Sequence, residues 1–191
     1  DKPLDRQLLE QLAGRLRGRG VICDLGCGPG HVARYLHERG AEVMGLDLSE
    51  AMLAQARRLN PGLHFQAGNM LDLAEVAEGA WAGIAAFYSI IHIPEADLPA
   101  ALRELKRVLQ PGGLLLLAFH VGAETVHLDE LWGHPVSADF IFYPPAVMVG
   151  HLEAAGFQVE DVIERAPYPE VEHPSRRAYL WARKPAAGET P

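Results

Sequence analysis

Apolar positions along this chain switch repeatedly between helical and strand-like spacing. Leu4, Leu8, Leu9, Leu12 and Leu16 share one helical face, with Asp5, Arg6, Glu10 and Arg15 outside it. Gly18 and Gly20 close that helix. An apolar run from Val21 then ends in Asp24-Leu25-Gly26-Cys27-Gly28-Pro29-Gly30, a buried strand breaking into a glycine loop. Val32, Tyr35 and Leu36 mark the next helix, which Gly40 stops. A second strand, 42–47, closes on Asp47. Ser49 caps a helix whose stripe is Met52, Leu53, Ala56 and Leu59, and Asn60-Pro61-Gly62 ends it. A third strand, 63–66, runs into Ala67-Gly68-Asn69-Met70.

The second half continues the alternation. Residues 80–87 form a nearly unbroken apolar strand, as a central parallel strand requires. Leu98, Ala101, Leu102, Leu105, Val108 and Leu109 give a helix, and Gln110-Pro111-Gly112-Gly113 turns it into a fifth strand at 114–119. Residues 120–145 show no clean period and carry His120, His127, Trp132, His134, Phe140, Phe142 and Tyr143. They are expected to form an irregular acceptor-side lid or insertion. Met148, Leu152 and Ala155 mark a last helix, followed by strands at 157–165 and 177–183. With no helix between them, these two strands pair antiparallel or flank another strand. The pattern predicts an α/β chain: a doubly wound, mostly parallel sheet with helices on both faces. A single domain is expected over 1–184, with a frayed tail at 185–191.

Composition narrows the function. The chain has 191 residues, 49% of them hydrophobic, enough for a sizeable core. Its net charge is −8 and no Lys/Arg-rich run stands out, which argues against a nucleic-acid partner and for a small-molecule acceptor. No apolar run has the length of a membrane span, and no signal peptide is visible. The two cysteines, Cys23 and Cys27, sit in the first strand and its loop without a second pair of ligands. That argues against zinc and for free thiols in a reducing, cytoplasmic setting. Oligomeric state leaves no trace in the sequence.

The glycine loop decides the ligand. Its spacing is G-x-G-x-G rather than G-x-G-x-x-G, with Asp24 two residues before the first glycine. A pyrophosphate is disfavoured beside that carboxylate, whereas a ligand carrying an ammonium and a sulfonium suits it. At these residues the chain resembles the class I S-adenosylmethionine (SAM)-dependent methyltransferases, whose first motif is hDhGxGxG (h, hydrophobic). The helix-V-L-x-P-G-G-strand pattern before the fifth strand, here Val108 to Gly113, is also frequent in that family. The resemblance implies a Rossmann-like, seven-stranded sheet whose last strand lies antiparallel between the fifth and sixth. It implies SAM as cofactor and S-adenosylhomocysteine as product. Cofactor contacts are then expected from Asp24, Gly26, Cys27, Gly28, Gly30 and His31 around the loop, and from Asp47, Leu48 and Met52 after the second strand. Asn69 and Met70 follow the third strand, and Phe87 and Tyr88 the fourth. Asp47 lies about twenty residues past the first glycine, where such folds place an acid on the ribose hydroxyls. Asn69 stands where the family usually has an aspartate facing the adenine amino group, and loses that acid's charge assistance.

Methyl transfer from a sulfonium is an in-line displacement, so positioning supplies much of the rate. A base is needed only when the acceptor must lose a proton. Tyr88, His92 and His120 follow strands four and five beside the crevice and are the catalytic candidates. His120 is the expected base for a hydroxyl acceptor, and His92 reads first as a structural histidine. His127, Asp129, Glu130 and His134 are too loosely spaced for a metal site, and none is expected. No Asn/Asp-Pro-Pro-aromatic run follows strand four, and no cysteine follows strand four or five, so cytosine-C5 chemistry lacks its nucleophile. The expected activity is methyl transfer to oxygen or nitrogen of a small molecule. The alternatives are an NAD-dependent oxidoreductase and a SAM-binding module without catalysis. The chain opens at Asp1 and enters helical periodicity at once. A further N-terminal segment, closing against 120–143 when ligands bind, is the corresponding expectation.

Overall fold

The computed structural model describes residues 2–131, 134–169, 171–186 and 188–189. Helix α1 (Pro3–Arg15) precedes strand β1 (Ile22–Leu25), α2 (His31–Glu38), β2 (Val43–Asp47), α3 (Glu50–Leu59) and β3 (His64–Ala67). Then come β4 (Trp81–Phe87), α4 (Leu98–Val108), β5 (Leu109–Val121), β6 (Thr125–Leu131), β7 (His134–Ile141) and α5 (Pro145–Ala154). Strands β8 (Gln158–Arg165) and β9 (Arg176–Arg183) complete the chain. Seven strands form one sheet in the order β3-β2-β1-β4-β5-β9-β8. The first five run parallel, and β9 lies antiparallel between β5 and β8, the ending that the resemblance implies.

Both faces of the sheet are covered, which is why its central strands are apolar throughout. Along β5, Leu114, Leu116 and Ala118 join a layer with Leu8, Leu12 and Leu16 of the first helical segment. Leu115, Leu117 and Phe119 point the other way, into a layer with Leu102 and Leu105 of α4 and Met148 and Leu152 of α5. The winding reverses between β1 and β4, and a crevice opens beyond their carboxyl ends.

Three expectations need correction. Residues 110–113 do not form a free turn: β5 starts at Leu109, with a register shift opposite Trp81/Gly83, and runs through His120 and Val121. Nor is 120–145 irregular. Strands β6 and β7 form an antiparallel hairpin separate from the main sheet. Its alternation puts half-buried Val126 and Leu128 on one face and exposed His127 and Asp129 on the other. A register shift between Leu128 and Glu130 breaks the period, which is why the pattern is weak. Trp132 and the His134 side chain lie outside the described residues. Part of the tail expected to fray folds back, with Glu189 2.7 Å from Arg183.

Candidate cofactor and acceptor site

The glycine loop is shaped by three left-handed residues, Gly26, Gly28 and Gly30, at φ 70°, 50° and 81°. Gly26 passes so close to the chain leaving β4 that a Cβ there would sit 2.3 Å from the Ser89 Cβ. At Gly28 a Cβ would meet nothing within 4 Å, because its free side faces a cavity. Two anchors fix the loop: the Gly26 N–H donates to the Leu46 carbonyl at 2.7 Å, and the Gly28 N–H to Asp47 Oδ2 at 2.8 Å. The other Asp47 oxygen accepts from the Ser49 N–H at 2.8 Å. Both carboxylate oxygens are thus oriented by backbone donors, and each keeps a lone pair for a hydroxyl.

The cavity has a volume of about 500 Å³ and crosses the carboxyl ends of β3, β2, β1, β4 and β5. Four strand spacings put its span at roughly 19 Å. Gly26, Gly28, Asp47, Leu48, Met52, Asn69 and Met70 line one part of it, and Tyr88, His92 and His120 the other. Leu48 is 74% exposed at its rim, an apolar surface suited to cover an aromatic base. Asn69 Oδ1 already accepts from the Leu71 N–H at 3.0 Å, so one of its two lone pairs serves the local turn.

Five expected cofactor contacts do not line this cavity. Asp24 is 2% exposed and accepts from the Ala33 N–H at 2.8 Å, tying β1 to the first turn of α2 beneath the loop. Burial pushes its carboxyl up to about 7, against the pull of that N–H, and the nearby Asp47 charge adds to the rise. Cys27 is buried and its thiol is pushed up to about 12, chiefly by burial. A Cβ on Gly30 would strike Phe65 at 2.7 Å, so this glycine serves packing. His31 and Phe87 line a second cavity of about 330 Å³, together with Lys2, Asp5, Arg6 and Tyr35. Tyr88 lines both cavities. It is also the one non-glycine residue of positive φ among those described, at 56°, the kind of strain that functional sites hold.

The catalytic candidates are firmly seated. The Tyr88 hydroxyl lies 3.2 Å from the Tyr179 hydroxyl, and burial pushes its phenol up to about 12. His92 Nδ1 is 2.9 Å from the Asp139 carbonyl, and its ring meets Phe140 edge-on at 4.8 Å, docking the hairpin on the cavity. His120 stacks on Phe142 at 4.8 Å, with Nδ1 2.7 Å from Ser175 Oγ. Burial above all, then the charges of Arg177 and its neighbours, pushes the His120 imidazole down to about 3. It is therefore neutral at ordinary pH, and protonating it means adding a charge beside a guanidinium. Among the described residues, no group of three His, Cys, Asp or Glu side chains could hold a metal ion. His127 instead bridges Asp139 and Asp129, at 2.7 and 3.2 Å.

Sequence reading missed several neighbours. Ser89 lines the cavity and donates from Oγ to the Leu25 carbonyl at 2.7 Å, locking the exit of β4 to the loop. Ser175 and Arg177 sit behind His120. Neither left a distinct trace: Arg177 belongs to a strand that carries arginine at both ends, Arg176 and Arg183.

Residues 22–113 match the family model described as "Methyltransferase domain". The chain is 37% identical over 134 residues to a malonyl-[acyl-carrier protein] O-methyltransferase of Salmonella typhimurium, covering 68% of this chain and 51% of that protein. It is 31% identical over 170 residues to a ubiquinone biosynthesis O-methyltransferase of Xanthomonas axonopodis pv. citri, covering 81% and 70%. Among solved structures, a SAM-dependent methyltransferase from Methanosarcina mazei superposes with a TM-score of 0.76 at 16% identity, covering 87% of this chain and 92% of that one, a likeness of fold. The chain belongs to the class I SAM-dependent methyltransferase family. It spans about half the length of the malonyl-carrier relatives it matches.

Proposed function

We propose that this protein moves a methyl group from SAM to an oxygen or nitrogen of a small-molecule acceptor, with oxygen favoured by the two O-methyltransferase relatives. The observation that carries the reading is Asp47. Its carboxylate stands on the cavity wall, oriented by the Gly28 and Ser49 N–H groups with lone pairs to spare for a ribose diol. SAM supplies an electrophilic methyl on a sulfonium. The chain's residues do the rest: the open Gly28 backbone admits the ligand closely, and Leu48, Asn69 and Met70 suit the adenine. The ends of β4 and β5 place the acceptor. Residues 1–184 are taken to act as one domain, with the β6–β7 hairpin as the acceptor-side wall and lid. The net charge of −8 suits a small acceptor better than a nucleic acid. Two buried free thiols suit the cytoplasm, and among the described residues no helix is long and apolar enough to cross a membrane.

Calorimetric titration with SAM and with NADH tests this reading. SAM should bind and NADH should not, and Asp47→Ala should weaken SAM by about 1–3 kcal/mol, the range for charge-assisted hydrogen bonds. Tighter NADH binding would overturn the assignment. Labelled-methyl transfer to an acceptor panel, with S-adenosylhomocysteine as product, separates catalysis from mere SAM binding.

A further inference from the structure

Of the side chains lining the β2–β3 end of the larger cavity, only Asp47 and Asn69 carry oxygen or nitrogen. Their neighbours there, Leu46, Leu48, Met52 and Met70, cover the faces of a flat ring but read nothing on its edge. Strands β2 and β3 pair in parallel with Asp47 opposite Ala67, and Asn69 follows two positions on. A sugar held at Asp47 therefore turns its base towards Asn69.

The Asn69 side chain is held in one orientation. Its Oδ1 accepts from the Leu71 N–H at 3.0 Å, and its backbone carbonyl accepts from the Asp72 N–H at 2.9 Å. Just before it, a Cβ on Gly68 would meet Leu46 at 2.7 Å, so the turn packs tightly against β2. Only an oxygen can receive an N–H, which settles which end of the amide faces Leu71. The oxygen is thus engaged by the turn. The amide nitrogen makes no hydrogen bond among the described residues and is not sealed in the interior. It stands as an open donor on the cavity wall, where an aspartate of the same shape would place a second acceptor oxygen.

We propose that Asn69 reads the purine as a donor, so that the site takes the cofactor and its product in 6-oxopurine form as well as in the 6-amino form. The proposal rests on the placement of SAM argued above. The adenine amino group is itself a donor, and two N–H groups set face to face repel. Asn69 Nδ2 instead meets an acceptor: a ring nitrogen of adenine, or the 6-carbonyl oxygen of hypoxanthine. An acid at this position does the reverse, binding the amino group with charge assistance and repelling a carbonyl oxygen. A site that bonds one substituent rejects analogues lacking it, because its own buried group is then left unpaired. With Asn69 that selection for the 6-amino group is absent, and the faces and ribose of the ligand carry the binding.

Calorimetric titration with three ligands tests this: S-adenosylhomocysteine, its 6-oxo counterpart S-inosylhomocysteine, and the analogue with hydrogen at the 6-position. Wild type should bind all three within about fivefold of one another. Asn69→Asp keeps the side chain's shape and an oxygen for the Leu71 N–H. The 6-hydrogen analogue, which offers no group to read, corrects for any general effect of the added charge. Relative to it, Asn69→Asp should bind the 6-amino ligand about tenfold tighter than wild type does, and the 6-oxo ligand about tenfold weaker. A wild-type preference for the 6-amino over the 6-oxo ligand beyond fivefold overturns the proposal, even if the variant does not fold. Ratios in Asn69→Asp that match wild type also overturn it. Both results leave the cofactor reading standing, whereas failure of S-adenosylhomocysteine to bind at all overturns that reading instead.

Discussion

The two ends of the cavity are built differently. At the end proposed to hold SAM the decisive bonds are local: Gly28 reaches Asp47 across 19 positions, Ala33 reaches Asp24 across 9, and Ser49 reaches Asp47 across 2. At the end proposed for the acceptor they are distant. His120 meets Ser175 across 55 positions, and Tyr179 meets Asp5 across 174. The first end is a single run of strand, loop and helix that orients itself as it folds. The second exists only once α1, β5, β9 and the 166–175 loop have come together. Cofactor binding and acceptor recognition should therefore respond to different substitutions, and variants can break or sharpen that separation.

The largest expected effect lies under the glycine loop. Asp24 has its carboxyl raised from 3.8 to about 7 by burial. Between those values the folded chain holds a proton that the unfolded chain has released, so stability falls as pH rises through this window and levels off above about 7. Asp24→Asn keeps an acceptor for the Ala33 N–H but removes the ionisation. Denaturant melts should show little difference from wild type near pH 4, and the variant more stable by up to roughly 4 kcal/mol near pH 8. A constant difference across pH would mean that Asp24 does not titrate in this window.

Within the loop itself, neighbouring glycines should part company. Gly26→Ala forces a Cβ to 2.3 Å from Ser89 at a positive φ, so about 3 kcal/mol of stability should go. Gly28→Ala adds its methyl to open space at φ 50°, costing about 1 kcal/mol in the fold. Its effect should appear in SAM affinity, because the methyl stands on the cavity wall. Equal melting points for the two variants would contradict this division.

The same contrast explains what the sequence reveals. Periodicity and glycine spacing give the alternating strands and helices and the Gly28–Asp47 end of the cavity, because helix faces, strand ends and turns are local properties, whereas the place of the antiparallel last strand follows from the resemblance. Asp24 was legible as part of the motif but not as a buried anchor, since spacing does not tell which way a side chain turns. The hairpin was hidden by the register shift at Leu128/Glu130, which interrupts its alternation. Ser175 carried no signal at all. A serine in a proline-rich loop gains meaning only when β9 brings it beside His120.

The smallest effect tests whether the hairpin belongs to the acceptor end or merely covers it. Phe140 comes from β7, lines the cavity and meets the His92 ring at 4.8 Å, while His92 Nδ1 holds the neighbouring Asp139 carbonyl. Phe140→Ala removes the ring and leaves that backbone contact in place. If the hairpin is the acceptor wall, the acceptor KM should rise about tenfold, which is the loss of roughly 1.4 kcal/mol of apolar contact. The SAM dissociation constant should stay within about twofold, because Asp47 ends β2 and Gly28 follows β1, on the far side of the winding reversal between β1 and β4. If the hairpin only shields the core, Phe140→Ala should lower the melting temperature and leave KM where it was. A matched rise in the SAM dissociation constant would break the separation itself, since the two ends would then be answering to one change.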